Sequence, residues 1–134
     1  MRAQIAFEYI VIVGMVLLFL VPLWAYIRSV QETTSSELTI SYAQNAVQKT
    51  ASQADLVWSQ GPPAKITSSV YIPAGVTESE ISGSTIRLRV QVGQDVNDIA
   101  AVSNANITGT LPASEGTYQI SLTATATGVA LTVL

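Results

Sequence analysis

A glutamate lies directly against a long apolar run near the start of the chain. Glu8 is followed by residues 9–27, which include no charged side chain. An ionised carboxylate at the edge of such a run is costly unless a cation pairs with it, so its presence is a functional hypothesis by default. The chemistry that suits this position is charge pairing in an apolar environment, with a partner supplied by another group.

Two other groups of polar residues have the right types for a site. Asn106 opens the triplet of residues 106–108, Asn-Ile-Thr, which fits an N-glycosylation acceptor, although such triplets also arise by chance. Asp95, Asn97 and Asp98 offer oxygen ligands that suit calcium. They fall short of the usual number, about six to eight, so a solvated loop is the favoured interpretation.

The composition excludes most catalytic and binding chemistry. The 134 residues contain no cysteine and no histidine, which excludes disulfides, thiol chemistry, zinc fingers and a Ser-His-Asp triad. Glu78 and Glu80, in a strand or turn, and Glu115 fit surface charges better than a paired acid and base. A net charge of −3 with six basic residues and no basic cluster argues against nucleic acid as the main partner. We expect no enzyme activity and no cofactor.

The apolar run is long enough to span a membrane. As a helix, residues 9–27 would extend roughly 28 Å, close to the thickness of the hydrocarbon core. Arg2 and the α-amino group favour a cytoplasmic N-terminus. An ordinary secretory signal places its small-residue cleavage site after the apolar region, but here Ala3 comes before it. A cut beside Ala3 would leave the helix on the mature protein.

The first residues of the chain resemble a known export signal. Arg2-Ala3 is followed by Gln4-Ile5-Ala6-Phe7-Glu8-Tyr9 and then by the uncharged helix. This order resembles the class III signal peptide of archaeal type IV-like pilins: a basic residue, a small residue, and Q-x-x-x-E-[YF]. The resemblance implies that a prepilin peptidase cuts between Ala3 and Gln4. Archaellins share the export route but carry glycines after the cut, so the resemblance favours a pilus over an archaellum.

Cleavage would give Glu8 a partner. The resemblance makes Glu8 the fifth residue of the mature chain, after removal of residues 1–3, and this is where type IV pilins carry a glutamate. The new α-amino group on Gln4 would neutralise Glu8 of a neighbouring subunit and reject a wrong axial stagger. The alternative is that Glu8 lies at the membrane interface of a plain anchor.

The helical pattern continues behind the apolar run as far as Gly61. A stripe at spacings of three and four consists of Ile40, Ala43, Val47, Thr50 or Ala51, Ala54 and Val57. A second apolar set, Leu38, Tyr42 and Ala46, lies off this stripe, so we expect two partners: the chain's own β-domain and neighbouring subunits. Residues 61–63, Gly-Pro-Pro, should end the helix.

Two places should weaken this long helix. Pro22 removes one backbone hydrogen bond and should kink or loosen the apolar part. Residues 32–36, Glu-Thr-Thr-Ser-Ser, are poor helix formers.

The pattern changes to a period of two beyond Pro63. Short strands are predicted at residues 70–72, 86–92, 118–124 and 129–133. Turn signals separate them at Ala74-Gly75, Ser82-Gly83, Glu115-Gly116 and Thr127-Gly128. We therefore predict a small antiparallel sheet packed on the C-terminal half of the helix, which also resembles the minimal β-domain of short archaeal pilins.

The predicted protein is of the α+β class, a type IV pilin-like chain with four parts. Residues 1–3 are the cleaved signal, residues 4–27 the membrane or filament-core helix, residues 28–61 its amphipathic continuation, and residues 62–134 the β-domain. The predicted function is the major subunit of an extracellular adhesion pilus, with its precursor in the cytoplasmic membrane. The resemblance implies four kinds of partner: identical subunits, the peptidase, an assembly ATPase and a membrane platform protein. Two alternatives stay open: a minor pilin or pseudopilin, and a membrane-anchored β-domain that does not polymerise.

Overall fold

One long helix precedes seven strands. The structure, a computed structural model, describes residues 2–134, with side chains from Gln4 onward. The elements are α1 (Arg2–Gln60), β1 (Lys65–Ile72), β2 (Val76–Ser82), β3 (Thr85–Val92), β4 (Asp95–Val102), β5 (Ile107–Thr108), β6 (Gly116–Ala124) and β7 (Val129–Val133). The predicted α+β class, with a long N-terminal helix ahead of a β-region, is confirmed.

The chain divides into two compact units, and α1 contributes to both. The first unit ends at Ser35, and the second, Ser36–Leu134, holds the end of α1 and all the strands. The boundary falls within residues 32–36, where a weak helix was expected, yet the backbone is helical throughout. Thr33 Oγ1 donates a hydrogen bond of 3.0 Å to the Ser29 carbonyl, so the hydroxyl is satisfied within the helix.

The first unit is a helix with its apolar side chains exposed. The large apolar side chains from Ile5 to Val30 are each 40–73% exposed. The helix continues through Pro22 without a break in its helical assignment, and the predicted kink there stays a prediction.

In the second unit, the rear of α1, residues 36–60, buries one face. The buried residues are Ala43, Ala46, Val47, Thr50, Ala51, Ala54 and Val57. The predicted stripe is therefore confirmed, with Ile40 partly buried at its start. The assignment of Ala46 to a second apolar face is wrong, because Ala46 is only 4% exposed. Leu38 and Tyr42 do lie on the exposed side.

The strands form two sheets, so the predicted small antiparallel β-region is confirmed but its arrangement as one sheet is not. One sheet has the order β1-β6-β7-β5 and the other the order β2-β3-β4. Neighbouring strands are antiparallel except β5 and β7, which pair in parallel. β5 follows β4 through a loop and does not form a hairpin with it, so it joins the other sheet. That loop joins the sheets, because Ile107 N donates to Gly83 O and Asn106 O accepts from Val129 N, both at 2.8 Å.

The inner faces of both sheets and the buried face of α1 contribute to one core. Fully buried side chains from the strands include Val70, Ile72, Ile86, Leu88, Val90, Ile120, Leu122 and Val129. These positions follow the predicted alternation, since successive strand residues point to opposite faces.

The helix ends where the Gly-Pro-Pro sequence predicts. Gly61 has a φ of 71°, a left-handed conformation that suits glycine. Its amide donates to the carbonyls of Val57 and Trp58, at 3.2 and 3.1 Å. This satisfies carbonyls at the helix end that would otherwise lack a partner.

Candidate functional site

Glu8 lies in the first unit, on an exposed and otherwise apolar part of α1. It lines a shallow depression of about 350 Å³ together with Phe7, Val11 and Ile12. Val11 and Ile12 follow Glu8 by three and four residues, so all three share one side of the helix. Among the side chains that the structure describes, from Gln4 onward, no cation pairs with Glu8. Its charge is therefore not compensated by any side chain from Gln4 onward.

The predicted cleavage site lies at the start of α1. Ala3 and Gln4 have helical backbone, and Gln4 is exposed. Met1, the first residue of the predicted signal, lies outside the described residues. Cleavage between Ala3 and Gln4, and the pairing of Gln4 with Glu8 of a neighbour, stay predictions.

Helix α1 is long and apolar enough to cross a membrane by length and composition. A buried core helix or a signal sequence also passes this test. The buried-core explanation does not apply to the apolar window, since none of it is buried in the protein. The exposed apolar front of α1, residues 4–27, is the kind of surface that lipid or another protein commonly covers.

An aromatic and basic group borders this apolar segment. The guanidinium carbon of Arg28 lies 4.2 Å from the ring centroid of Trp24, in cation–π contact across one helical turn. Tyr26, in the same helical turn, is also exposed. Trp and Tyr are enriched where transmembrane helices meet the headgroup layer. The sequence analysis did not predict this pair. The pattern that could have indicated it is a tryptophan four residues before the arginine that ends the uncharged run.

In the second unit, the outer face of the β2-β3-β4 sheet carries a network of ion pairs. Arg89 Nε donates to Asp98 Oδ1 at 2.8 Å, and Arg89 Nη1 donates to Glu78 at 2.8 Å. Arg87 pairs with Glu80 on the same face. The hydrogen bond from Arg89 lowers the pKa of Asp98 below its ordinary value. The bond to Asp98 likewise raises the pKa of Arg89.

This network corrects the reading of residues 95–98. They begin β4 and are not a solvated loop. The Asp98 carboxylate is engaged by Arg89, and no group of three or more acidic side chains suited to a metal occurs among the described residues. Glu78 and Glu80 lie in β2 as exposed charges.

Polar side chains of α1 attach the helix to both sheets. Lys49 Nζ donates to the Ser69 carbonyl of β1 at 2.7 Å, and Gln53 Nε2 donates to Ser68 Oγ at 2.8 Å. On the other side, the Asp55 carboxylate accepts hydrogen bonds from the loop after β4. These contacts join residues far apart in sequence, so no local pattern indicates them.

Asn106 is exposed in the loop that joins the two sheets. Thr108, the other polar member of its triplet, is also exposed, and Ile107 between them is buried. The Asn106 carbonyl is fixed by the amide of Val129. The side chain is therefore accessible on an ordered segment, and glycosylation there stays a prediction.

Comparison of the chain with family models, curated proteins and solved structures finds no match.

Proposed function

We propose that this chain is the major structural subunit of an archaeal type IV-like adhesion pilus. The observation that carries the proposal is the exposed apolar front of α1 with one acidic residue, Glu8, near its start. The second unit has a core of its own, so the front of α1 is not needed to complete it. An apolar helix that the fold does not use is suited to hold a precursor in lipid and then to join a bundle of identical helices.

Moving the helix from lipid to a bundle exchanges one apolar environment for another. The hydrophobic effect therefore contributes little to assembly, and the stability has to come from close packing and from polar contacts between helices. Gly14 fits such packing, because a Cβ added there would meet no atom within 4 Å in the isolated chain, leaving its surface open for a neighbour. A small residue on a helix surface lets two backbones approach closely.

Glu8 supplies the specificity of assembly in this proposal. Buried between helices, its carboxylate would be strongly destabilising without a cation. The α-amino group created at Gln4 by cleavage is the group that the resemblance provides. A subunit placed at another axial stagger would leave both charges unpaired, so the pair selects one stagger.

The experiment is mass spectrometry of the N-terminus, applied to protein sheared from the native cell surface and to the membrane fraction of the same cells. We expect a chain beginning at Gln4 as the dominant component of the sheared filaments, and some chains beginning at Met1 in membranes. Intact Met1 on protein found only in membranes would overturn the proposal and favour the anchored β-domain. A processed chain that is only a trace component of filaments would instead indicate a minor pilin or pseudopilin.

A further inference from the structure

A groove with two aromatic walls lies in the second unit, between the rear of α1 and β1. Its volume is about 250 Å³. The lining includes Tyr42, Asn45 and Lys49 from the helix and Ser69, Tyr71 and Thr117 from the strands. The proposed pairing of Glu8 with Gln4 uses none of these residues, although Tyr42 is on the side of the helix where neighbouring subunits are expected.

Tyr42 and Tyr71 form one corner of the groove. Their ring centroids are 5.5 Å apart and their planes meet at 82°, an edge-to-face contact. Tyr42 is 49% and Tyr71 41% exposed, so each side chain keeps a large part of its surface open. A tyrosine has only two side-chain torsions to order, and here the contact already restrains them. The corner is thus prepared to take an apolar surface at a low entropic cost.

The polar groups of the groove lie around this corner. Lys49 Nζ donates to the Ser69 carbonyl at 2.7 Å, which fixes the ammonium and leaves two further N–H donors on it. Asn45 and Thr117 add an amide and a hydroxyl, which can each donate and accept hydrogen bonds. At the far side, the Tyr71 hydroxyl lies 3.5 Å from Glu115 Oε1.

We infer that this groove binds a neutral sugar ring. A sugar ring has a face of C–H groups, which packs on an aromatic ring, and a rim of hydroxyls, which both donate and accept hydrogen bonds. The groove offers both kinds of surface at once. Most concave ligand sites likewise combine aromatic walls with a few placed polar groups.

Other ligand classes fit less well. An anion would meet one ammonium, already bonded to a carbonyl, and the carboxylate of Glu115 nearby. A purely apolar ring would pack on a tyrosine face but would make no hydrogen bonds with Asn45 and Thr117. This inference goes beyond the proposed function, because binding in the groove does not require a filament.

The test is saturation-transfer NMR on the full chain in micelles of a detergent without a sugar headgroup. The probes are glucose, N-acetylglucosamine and their β1,4-linked disaccharides. We expect saturation to reach the ring C–H protons of at least one probe. Tyr71→Ala should weaken its binding about tenfold, while Tyr71→Phe, which keeps the ring, should retain most of it.

Two further variants make the result specific to the groove. Asn45→Ala, at an exposed helix position, should weaken binding without disturbing the fold. Tyr26→Ala removes an exposed tyrosine from the first unit and should leave binding unchanged. Absence of transfer to all four probes would overturn the inference, as would transfer that Tyr71→Ala and Asn45→Ala leave unaltered.

Discussion

Ser103 Oγ donates a hydrogen bond of 2.6 Å to Asp55 Oδ1, joining the rear of α1 to the loop that follows β4. The same carboxylate accepts from the Asn104 backbone amide at 2.7 Å and from its side-chain amide at 3.2 Å. Ser103 is only 3% exposed, so its hydroxyl has little access to water. This one carboxylate therefore holds the loop after β4 against the helix.

Replacing Asp55 should destabilise the second unit. Asp55→Ala removes three hydrogen bonds and leaves the buried Ser103 hydroxyl without this acceptor. We expect the free energy of unfolding to fall by about 1–3 kcal/mol, the usual cost of an unsatisfied buried group. The measurement is urea unfolding of the full chain in detergent. Asp95→Ala is the matched control, because no hydrogen bond or ion pair of the Asp95 side chain is found among the described residues. Equal effects of the two substitutions would contradict this role of Asp55.

Truncation of Leu122 and of Leu38 should have different effects on the free energy of unfolding. Leu122 is fully buried in the core to which α1 and the strands contribute, whereas Leu38 is 50% exposed on α1. Leu122→Ala should lower the free energy of unfolding by about 2–5 kcal/mol. Leu38→Ala should change it by less than about 0.5 kcal/mol in the dispersed protein. A large loss with Leu38→Ala in unassembled chains would mean that this side of α1 is covered within one subunit.

The ion pair between Arg89 and Asp98 should make stability fall in acid. Because Arg89 lowers the pKa of Asp98, the ionised carboxylate is favoured in the folded state. The stabilisation is complete above the ordinary pKa of an aspartate and is lost as the pH falls through the lowered value. Asp98→Asn should remove this part of the acid dependence, and Asp95→Asn should not. Urea midpoints measured from neutral pH into the acid range test this, and identical pH profiles for Asp98→Asn and the unaltered chain would count against it.

The sequence predicted those strands in which apolar side chains alternate with polar ones. β3 and β6 were found because Ile86, Leu88, Ile120 and Leu122 recur with a period of two. β4 was missed because its first four residues are Asp, Val, Asn and Asp, which by themselves are typical of a loop. The ladder with β3, the burial of Ile99 and Ala101 and the pairing of Arg89 with Asp98 support this strand, and single-sequence patterns do not contain these cross-strand contacts.

The site residues likewise divide into those that a local sequence pattern indicates and those that depend on contacts between distant residues. The position of Glu8 against the apolar run is a local feature, so the sequence was sufficient to single it out. The Asp55 contact and the Tyr42–Tyr71 pair join residues 48 and 29 positions apart, as the numbering shows. Such contacts depend on how α1 packs against the strands, which periodicity alone does not predict.

Trp24 and Arg28 should lie at the outer headgroup layer when the precursor is in a membrane. The cation–π contact keeps the guanidinium beside the indole, and both side chains suit an interface of phosphates and acyl chains. In a Trp58→Phe background, fluorescence of Trp24 in phosphatidylcholine vesicles should be quenched more by lipids brominated near the headgroup than near the bilayer centre. Arg28→Leu should move the quenching deeper. Stronger quenching from the centre in the parent would show that the span is placed differently.

Removal of the charge at Glu8 should abolish assembly without affecting the fold. Glu8→Gln keeps the shape of the side chain. It cannot form the charge pair with the α-amino group of Gln4 in a neighbouring subunit. In the native host, we expect processed chains that accumulate in the membrane, with filaments in the sheared fraction reduced at least about tenfold, since a mispaired charge costs several kcal/mol. Glu37→Gln, an exposed glutamate of the second unit, should leave filament yield unchanged. Electron microscopy of sheared fractions gives the yield, and filaments of normal abundance from Glu8→Gln would contradict the proposed register.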